Sequence, residues 1–187
     1  MLNILLKAFY QKDTVIVAKN LLGKKLVRKI GNFEMSGIIV ETEAYRHKDD
    51  PASHAFRNIT PRNKIMFEDV GMAYVYFTYG MHYCFNVVAK NSKTDAGAVL
   101  IRAIKPDKGI TRMKQNRNLE ELKNLTNGPG KLTQALEITK EHYGIDLTKK
   151  SEIYIEDTTN VTKISKSTRV EIKNGKERLW NFKIMLK

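Results

Sequence analysis

The stretch Ile39-Val40-Glu41-Thr42-Glu43-Ala44-Tyr45 has the pattern of a buried strand that ends in two acids and an aromatic residue. Side chains alternate across a strand, so Glu41, Glu43 and Tyr45 share one face. Carboxylates are seldom buried without a partner or a task. A carboxylate at the mouth of a core, beside an aromatic ring, is a candidate general base acting on a flat substrate.

Strand patterns on both sides of this stretch indicate the fold class. Apolar alternation predicts strands over residues 25–30, 33–44, 73–78, 83–89, 98–104, 153–155, 169–172 and 179–185. Helical patterns cover residues 13–22, 110–122 and 128–136. Because the connections are short and the strands have two distinct faces, we expect a mixed α/β (α+β) fold. It would be a single domain, residues 1–187, built on a largely antiparallel curved sheet with flanking helices.

The charge balance points to a polyanionic partner. The chain has 33 Lys and Arg against 20 Asp and Glu, a formal charge of +13. Such an excess favours DNA, RNA or an anionic membrane surface. A basic shell that only keeps the protein soluble is the alternative.

The remaining composition narrows the class of protein. A single cysteine, Cys84, excludes an internal disulfide framework and a cysteine-based zinc cluster. No stretch approaches a membrane span, and the apolar start of the chain is too short for a signal peptide. We therefore expect a cytoplasmic protein without a membrane partner, associated with the nucleoid if it is bacterial.

Residues 74–86 have the pattern of two strands around a tight turn with Gly80 at its tip. Tyr79 and Met81 flank that tip, where large apolar side chains would be exposed. An exposed wedge on a basic protein is a known means of unstacking a duplex base step. Burial in the sheet core is the alternative, and we favour it for three other aromatics of this segment, Tyr74, Phe77 and Phe85.

Two polar residues interrupt apolar strands. Asn86 lies between Phe85 and Val87, and Arg102 lies within the run from 98 to 104. If buried, Asn86 needs hydrogen bonds and Arg102 needs an anionic partner. The simplest partner for Arg102 is the pair of acids at 41 and 43, either as a structural salt bridge or to orient a catalytic carboxylate.

The polar loop 46–63 contains two histidines, two prolines and several charged residues. A metal cluster would require four of its side chains, His47, Asp49, Asp50 and His54, but their spacing matches no standard zinc pattern. We therefore expect no metal. His54 would instead hydrogen-bond a ligand or anchor its own loop.

The segment Gly128-Pro129-Gly130-Lys131 opens a predicted helix, where backbone N–H groups and a lysine could meet an anion. It lacks the upstream glycine of a nucleotide P-loop, and Leu132 stands where Ser or Thr would hold magnesium. One phosphate of a nucleic-acid backbone fits better, and a plain glycine-rich turn is the alternative.

Taken together, these segments closely resemble the 3-methyladenine (alkyladenine) DNA glycosylase family. The matching pieces, in family order, are Leu21-Leu22-Gly23-Lys24, Glu41-Thr42-Glu43-Ala44-Tyr45, Asp50-Pro51-Ala52-Ser53-His54, Thr60-Pro61-Arg62-Asn63, Tyr74-Val75-Tyr76, Tyr79-Gly80-Met81, Leu100-Ile101-Arg102-Ala103 and Gly128-Pro129-Gly130-Lys131-Leu132. Each piece alone is unspecific, but eight in one order are hard to obtain by chance.

The resemblance implies an enzyme that flips a damaged purine out of duplex DNA and hydrolyses its N-glycosidic bond. It places Glu43 as general base, with Arg102 near the attacking water. The expected base pocket is Tyr45, His54, Tyr76 and Asn86. The expected DNA-binding residues are Tyr79 and Met81, which enter the base stack, with Arg62 and Lys131.

No lysine is placed as a Schiff-base nucleophile, so we expect a monofunctional, monomeric hydrolase that uses no cofactor. A non-catalytic nucleic-acid-binding module is one alternative. It leaves the two acids and Arg102 with no role beyond an ion pair. A metal-dependent nuclease is another, and EDTA would abolish its activity.

Overall fold

The computed structural model describes residues 3–185. The strands are β1 Lys25–Ile30, β2 Phe33–Arg46, β3 Ala73–Thr78, β4 His82–Val88, β5 Gly97–Lys108, β6 Ile153–Glu156, β7 Ser165–Ser167 and β8 Asn181–Lys183. The α-helices are α1 Lys7–Tyr10, α2 Thr14–Asn20, α3 Ile110–Arg117 and α4 Pro129–Ala135, and 3-10 turns cover Lys64–Phe67 and Lys140–His142. The domain range predicted above includes residues 1, 2, 186 and 187, which lie outside this description.

The strands form one sheet in the order β3-β4-β5-β2-β1-β6, and every pair is antiparallel. The long strand β2 is the centre of this sheet. One edge of β2 pairs with β5, while the other pairs first with β1 and then, at residues 41–43, with β8. The sheet curls into a half-barrel with helices packed on it, which confirms the predicted mixed α/β fold.

The main core lies between the sheet and the helices that pack on it. Tyr10, Phe85 and Phe182 are among its largest fully buried side chains. Helix α2 begins where the Asp13 side chain accepts the Val15 N–H at 2.9 Å, so one free helix-end donor is satisfied. Helix α2 contacts both β2 and β5, which stiffens the strand that bears the two acids.

The two acids of β2 lie at an irregularity of the sheet. The register between β2 and β5 shifts between Ile39 and Glu41 and again between Glu41 and Thr42. Bulges of this kind re-aim side chains and often occur beside active sites. Glu41 and Glu43 still share one face, as predicted, since the side chains of both reach the same residue, Arg102.

Three sequence predictions were wrong. Residues 169–172 form a turn rather than a strand, with Glu171 at a φ of 58°. The predicted helix over residues 110–122 ends at Arg117, because Asn118 takes a left-handed φ of 47° and its N–H caps the last turn. Phe77 is 50% exposed rather than in the core, because it lies near the end of β3, which is the edge strand of the sheet.

Candidate active site

A cavity of about 350 Å³ opens between strands β3, β4 and β5 and the segment 170–174. Six of the predicted site residues line it: Tyr45, His54, Tyr76, Tyr79, Asn86 and Arg102. Residues that are up to 57 positions apart in sequence are therefore gathered around one volume suited to a small flat molecule.

Glu43 is fully buried and contacts three residues that line the cavity, Tyr45, Arg102 and Val170. Its Oε1 accepts hydrogen bonds from the Val170 N–H at 2.7 Å and from Asn181 Nδ2 at 3.0 Å. Its Oε2 accepts from the Tyr45 hydroxyl at 2.8 Å and lies 3.5 Å from Arg102 Nη1. Four donors around two oxygens match an ionised carboxylate, which only accepts hydrogen bonds.

Arg102 joins the two acids, as the sequence predicted. Its Nε donates to Glu41 Oε1 at 2.9 Å, and its Nη1 reaches Glu43. Burial lowers the pKa of Arg102, but the neighbouring carboxylates of Glu43 and Glu41 outweigh that effect and raise it overall. Arg102 is therefore a permanent cation on the cavity wall, directly beside the buried carboxylate.

Tyr45 connects the cavity to Glu43. Burial raises the pKa of the Tyr45 phenol far above its ordinary value, and the Glu43 carboxylate beside it raises it further. The phenol thus remains a neutral hydrogen-bond donor at any physiological pH. The guanidinium of Arg169 lies 4.7 Å from the centre of its ring.

His54 and Tyr76 form another wall of the cavity. Their ring centres are 4.7 Å apart, and His54 Nδ1 lies 2.8 Å from the Tyr74 hydroxyl. Burial lowers the pKa of His54 from 6.5 to about 4, and the Arg62 cation contributes to the shift. Although the residue remains open to solvent at the cavity edge, its imidazole is neutral at pH 7.

The loop that carries His54 is held by Asn63. The buried Asn63 side chain donates to the His54 carbonyl at 2.7 Å and to the Asn58 carbonyl at 3.0 Å. Its Oδ1 accepts the Thr60 N–H at 2.7 Å. A long polar loop is thereby fixed without regular secondary structure, and His54 is presented to the cavity at a defined position.

Asn86 reaches the cavity from β4. Its side chain is almost fully buried, and Nδ2 donates to the Tyr74 carbonyl at 3.0 Å. This bond meets the requirement that a buried amide finds partners and fixes the orientation of the amide group. Asn86 therefore presents a fixed polar group to whatever occupies the cavity.

The turn between β3 and β4 exposes Tyr79 and Met81 to solvent, and their exposed fractions are 74% and 68%. Tyr79 and Gly80 have φ values of 51° and 67°, the positive pair expected of a type I′ turn. The Tyr79 hydroxyl donates to Glu171 Oε2 at 3.2 Å. The tip projects from the sheet beside the cavity mouth, as the wedge hypothesis requires.

Arg62 and Lys131 lie outside the cavity but next to its walls. The Arg62 guanidinium is 4.6 Å from the centre of the Tyr76 ring, and it donates to the Phe77 carbonyl at 3.3 Å. Lys131 is in the first turn of α4, where Pro129 lines the cavity. Gly130 packs so closely on His82 that an added Cβ would lie 2.8 Å from its ring, which brings α4 against the hairpin.

The four side chains considered for a metal have separate partners. His47 Nδ1 lies 3.2 Å from Asp95, Asp49 pairs with Arg46, Asp50 pairs with Arg169, and His54 Nδ1 lies 2.8 Å from the Tyr74 hydroxyl. Within residues 3–185, His, Cys, Asp and Glu side chains form no group of three suited to a metal ion.

Sequence reasoning missed the contribution of the C-terminal segment. Arg169, Val170 and Asn181 all contact the site, the first through Tyr45 and the other two through Glu43. Asn181 carried a signal, because an amide between Trp180 and Phe182 interrupts an apolar strand just as Asn86 does. The backbone N–H of Val170 has no sequence signature at all.

Comparison with known proteins identifies similar sequences along almost the whole chain. The sequence model of the family described as Methylpurine-DNA glycosylase (MPG) matches residues 8–186. A protein of Carboxydothermus hydrogenoformans is 48% identical over 178 residues, 94% of this chain and 92% of its own length. A protein of Prosthecochloris aestuarii is 46% identical over 94% of this chain and 85% of its own length. A protein of Clostridium acetobutylicum is 44% identical over 96% of this chain and 93% of its own length. All three are named "Putative 3-methyladenine DNA glycosylase".

Among the helices of residues 3–185, none has the length and apolar character needed to span a membrane.

Proposed function

The chain belongs to the methylpurine-DNA glycosylase family, and from this premise we propose that it removes alkylated or deaminated purines from duplex DNA by hydrolysis. The damaged base is flipped into the cavity, and Glu43 activates the attacking water. The whole chain, residues 1–187, acts as one glycosylase domain and as a monomer, without metal or cofactor. The product is an abasic site in an unbroken strand.

One observation carries this proposal: a fully buried carboxylate, Glu43, contacts three residues, Tyr45, Arg102 and Val170, that line a cavity with aromatic walls. Burying an acid is costly, and this one is held by Tyr45, Arg102, Val170 and Asn181 rather than being neutralised by a single partner. A structural ion pair would not need an aromatic cavity above it, whereas a general base for a flipped purine does.

The cavity walls suit a purine. Tyr45, Tyr76 and His54 present ring surfaces, and stacking on such a surface contributes about 1–3 kcal/mol per base. Asn86 adds a fixed amide that can read polar edges of the base. Flipping costs a few kcal/mol, and less for a damaged or mispaired base, so the lesion itself contributes to selection.

The chemical step is a displacement at the anomeric carbon. The C1′–N bond breaks, its electron pair leaves with the purine, and positive charge develops on the sugar, as in other glycoside hydrolyses. Water forms the new C1′–O bond and gives its proton to Glu43 Oε2. The carboxylate also stabilises the cationic sugar. An alkylated, cationic purine leaves as a neutral base and requires no general acid, whereas a neutral deaminated purine leaves as an anion that takes up a proton from water.

Water must displace one existing contact to reach Glu43. The longest is the 3.5 Å separation between Glu43 Oε2 and Arg102 Nη1, and Arg102 lines the cavity. A water between these two groups would donate to Oε2 and accept from the guanidinium. Such an arrangement orients the lone pair of the water toward the cavity, where C1′ of the flipped nucleotide would lie.

The exposed hairpin tip completes the proposal. Tyr79, which lines the cavity, enters the space that the flipped base leaves, and the exposed Met81 lies beside it on the same turn. Arg62 and Lys131 neutralise phosphates on either side, in keeping with the net charge of +13.

The decisive experiment compares base release by the wild type and by Glu43→Gln, from duplex DNA that contains methylated purines or a single hypoxanthine, with EDTA present. We expect the wild type to release base and leave abasic sites, and the variant to bind DNA but release base at least ~100-fold more slowly. Glu41→Gln is the matched control, since it removes the other acid that binds Arg102 but leaves Glu43 in place.

Equal rates for the wild type and Glu43→Gln would refute the role of Glu43. No release by either protein, with tight salt-sensitive binding by both, would favour a nucleic-acid-binding module. A covalent DNA adduct trapped by borohydride would refute the monofunctional mechanism.

A further inference from the structure

Asn181 is a fully buried amide that bridges the two acids of the site. Its Nδ2 donates to Glu41 Oε1 at 2.8 Å and to Glu43 Oε1 at 3.0 Å. We propose that Asn181 is a positioning residue for catalysis, which fixes Glu43 so that only Oε2 is available to water. This inference rests on the proposed role of Glu43 as general base.

The orientation of the Asn181 amide is set by a neighbouring strand. Ser167 pairs with Asn181 across β7 and β8, and its hydroxyl donates to Asn181 Oδ1 at 3.2 Å. With Oδ1 engaged as acceptor, the NH₂ group must point toward the carboxylates. Each of its two N–H bonds therefore serves one acid, and the amide has no better alternative orientation.

The amide divides the two oxygens of Glu43 into different environments. Oε1 accepts from Asn181 and from the Val170 N–H, and neither donor can leave without moving the C-terminal segment. Oε2 accepts from the Tyr45 hydroxyl at 2.8 Å and from the Arg102 guanidinium at 3.5 Å, and both of these side chains line the cavity. The longest of the four contacts is therefore at Oε2, where water can enter, and Asn181 holds the other oxygen.

The charges around the pair explain why a neutral amide is needed here. Glu43 and Glu41 are neighbours on β2, Arg102 approaches from β5, and Lys183 on β8 lies 3.3 Å from Glu41 Oε1. Tyr45 adds a neutral phenol from β2, and Arg169 lies behind the Tyr45 ring. Two cations already offset the two acids, so Asn181 supplies donors without changing the net charge.

Asn181→Asp tests this arrangement, because it keeps the shape of the side chain but replaces the two donors by a third carboxyl group. We expect single-turnover base release at pH 7 to fall about tenfold or more, while the dissociation constant for DNA changes less than about twofold. The acidic limb of the pH–rate profile should move to higher pH, since a third acid disfavours ionisation of its neighbours.

Ser167→Ala is the second variant, chosen because it removes an exposed hydroxyl and leaves the folded chain intact. It frees the amide to rotate, so we expect a fall in rate of about three- to fivefold without a change in DNA affinity. Asn91→Asp is the control for the chemical change itself. The Asn91 Oδ1 only accepts hydrogen bonds, from the Lys93 N–H and the Thr94 hydroxyl, which an aspartate also accepts.

The outcomes separate this inference from the proposed function. If the wild type releases base and both Asn181→Asp and Ser167→Ala match its rate and pH profile, the positioning role is refuted. If Asn181→Asp does not fold, an unchanged rate and profile for Ser167→Ala alone refute it. If the wild type releases no base, the proposed function fails first, and the contact between Asn181 and Glu43 is only structural.

Discussion

Arg169 binds Asp50 through two hydrogen bonds of 2.6 Å, and neither side chain has any exposure to solvent. The same guanidinium donates to the Ala44 carbonyl at 2.8 Å and lies between the rings of Tyr45 and Trp180. This pair therefore connects the loop that precedes His54 with the C-terminal segment, behind the wall of the cavity. It explains how a chain end far from β2 in sequence reaches the site.

Asp50→Asn should destabilise the fold strongly. A buried ion pair that loses one partner leaves an uncompensated charge, which typically costs about 3–5 kcal/mol. We expect a loss of this size in the free energy of unfolding, measured by urea denaturation. Asp95→Asn is the control, because its pairing with the exposed Lys48 is screened by water and should contribute far less to the free energy of unfolding. A loss for Asp50→Asn no larger than that for Asp95→Asn would contradict the importance of the buried pair.

Tyr79→Ala should impair base release through the loss of the wedge. Because the ring no longer opposes the return of the flipped base, we expect a fall of about tenfold or more, the equivalent of one stacking contact. Tyr79→Phe keeps the ring and removes only the hydrogen bond to Glu171, so its rate should stay within about twofold of the wild type. Single-turnover kinetics on duplex DNA measure both.

Phe33→Ala controls for the loss of an exposed aromatic elsewhere, since Phe33 is 48% exposed on β2 at its junction with β1. Equal rates for Tyr79→Ala and Phe33→Ala would contradict the wedge hypothesis.

The sequence was most informative where a polar residue interrupts an apolar strand. Arg102 was assigned to Glu41 and Glu43 because a guanidinium in a central strand needs an anion, and the structure confirms both contacts. Strands β1 and β3 match their predicted ranges, because clean alternation ends in turn residues on both sides.

The C-terminal segment was less predictable for a physical reason. Arg169 and Val170 act through long-range partners and a backbone N–H, and neither leaves a local pattern. The turn at residues 169–172 resembles a strand in composition, yet Glu171 takes a positive φ that composition does not reveal. Tertiary contacts decided its conformation.

The stability of the protein should fall on mild acidification in a way that depends on His54. The folded state holds the pKa of His54 at about 4, whereas its ordinary value is 6.5. Between these values the unfolded chain binds more protons than the folded one, so the free energy of unfolding decreases as the pH falls from 6.5 toward 4. The residue is partly open to solvent, which reduces the size of the effect.

Urea denaturation at pH 7.5, 6, 5 and 4.5 tests this prediction by comparing the wild type with His54→Gln, which cannot be protonated. The wild type should lose more stability than the variant across this range. Parallel pH dependence in the two proteins would show that His54 is not held neutral by the fold.

Lys131 should contribute to DNA binding mainly through the phosphate backbone. It lies beside Pro129 at the cavity edge, and Asn127 Oδ1 holds its Nζ at 2.9 Å, so the ammonium is placed where a strand would pass the hairpin. Lys131→Gln should lower the slope of log affinity against log salt by about 0.9, the value for one phosphate contact. Lys29→Gln, on β1 near the opposite end of the sheet, should leave the slope unchanged. Arg62→Gln should reduce the slope and also the affinity for a flipped base, because its guanidinium supports the Tyr76 ring from outside the cavity. Equal slopes for Lys131→Gln and the wild type would place the DNA backbone away from α4.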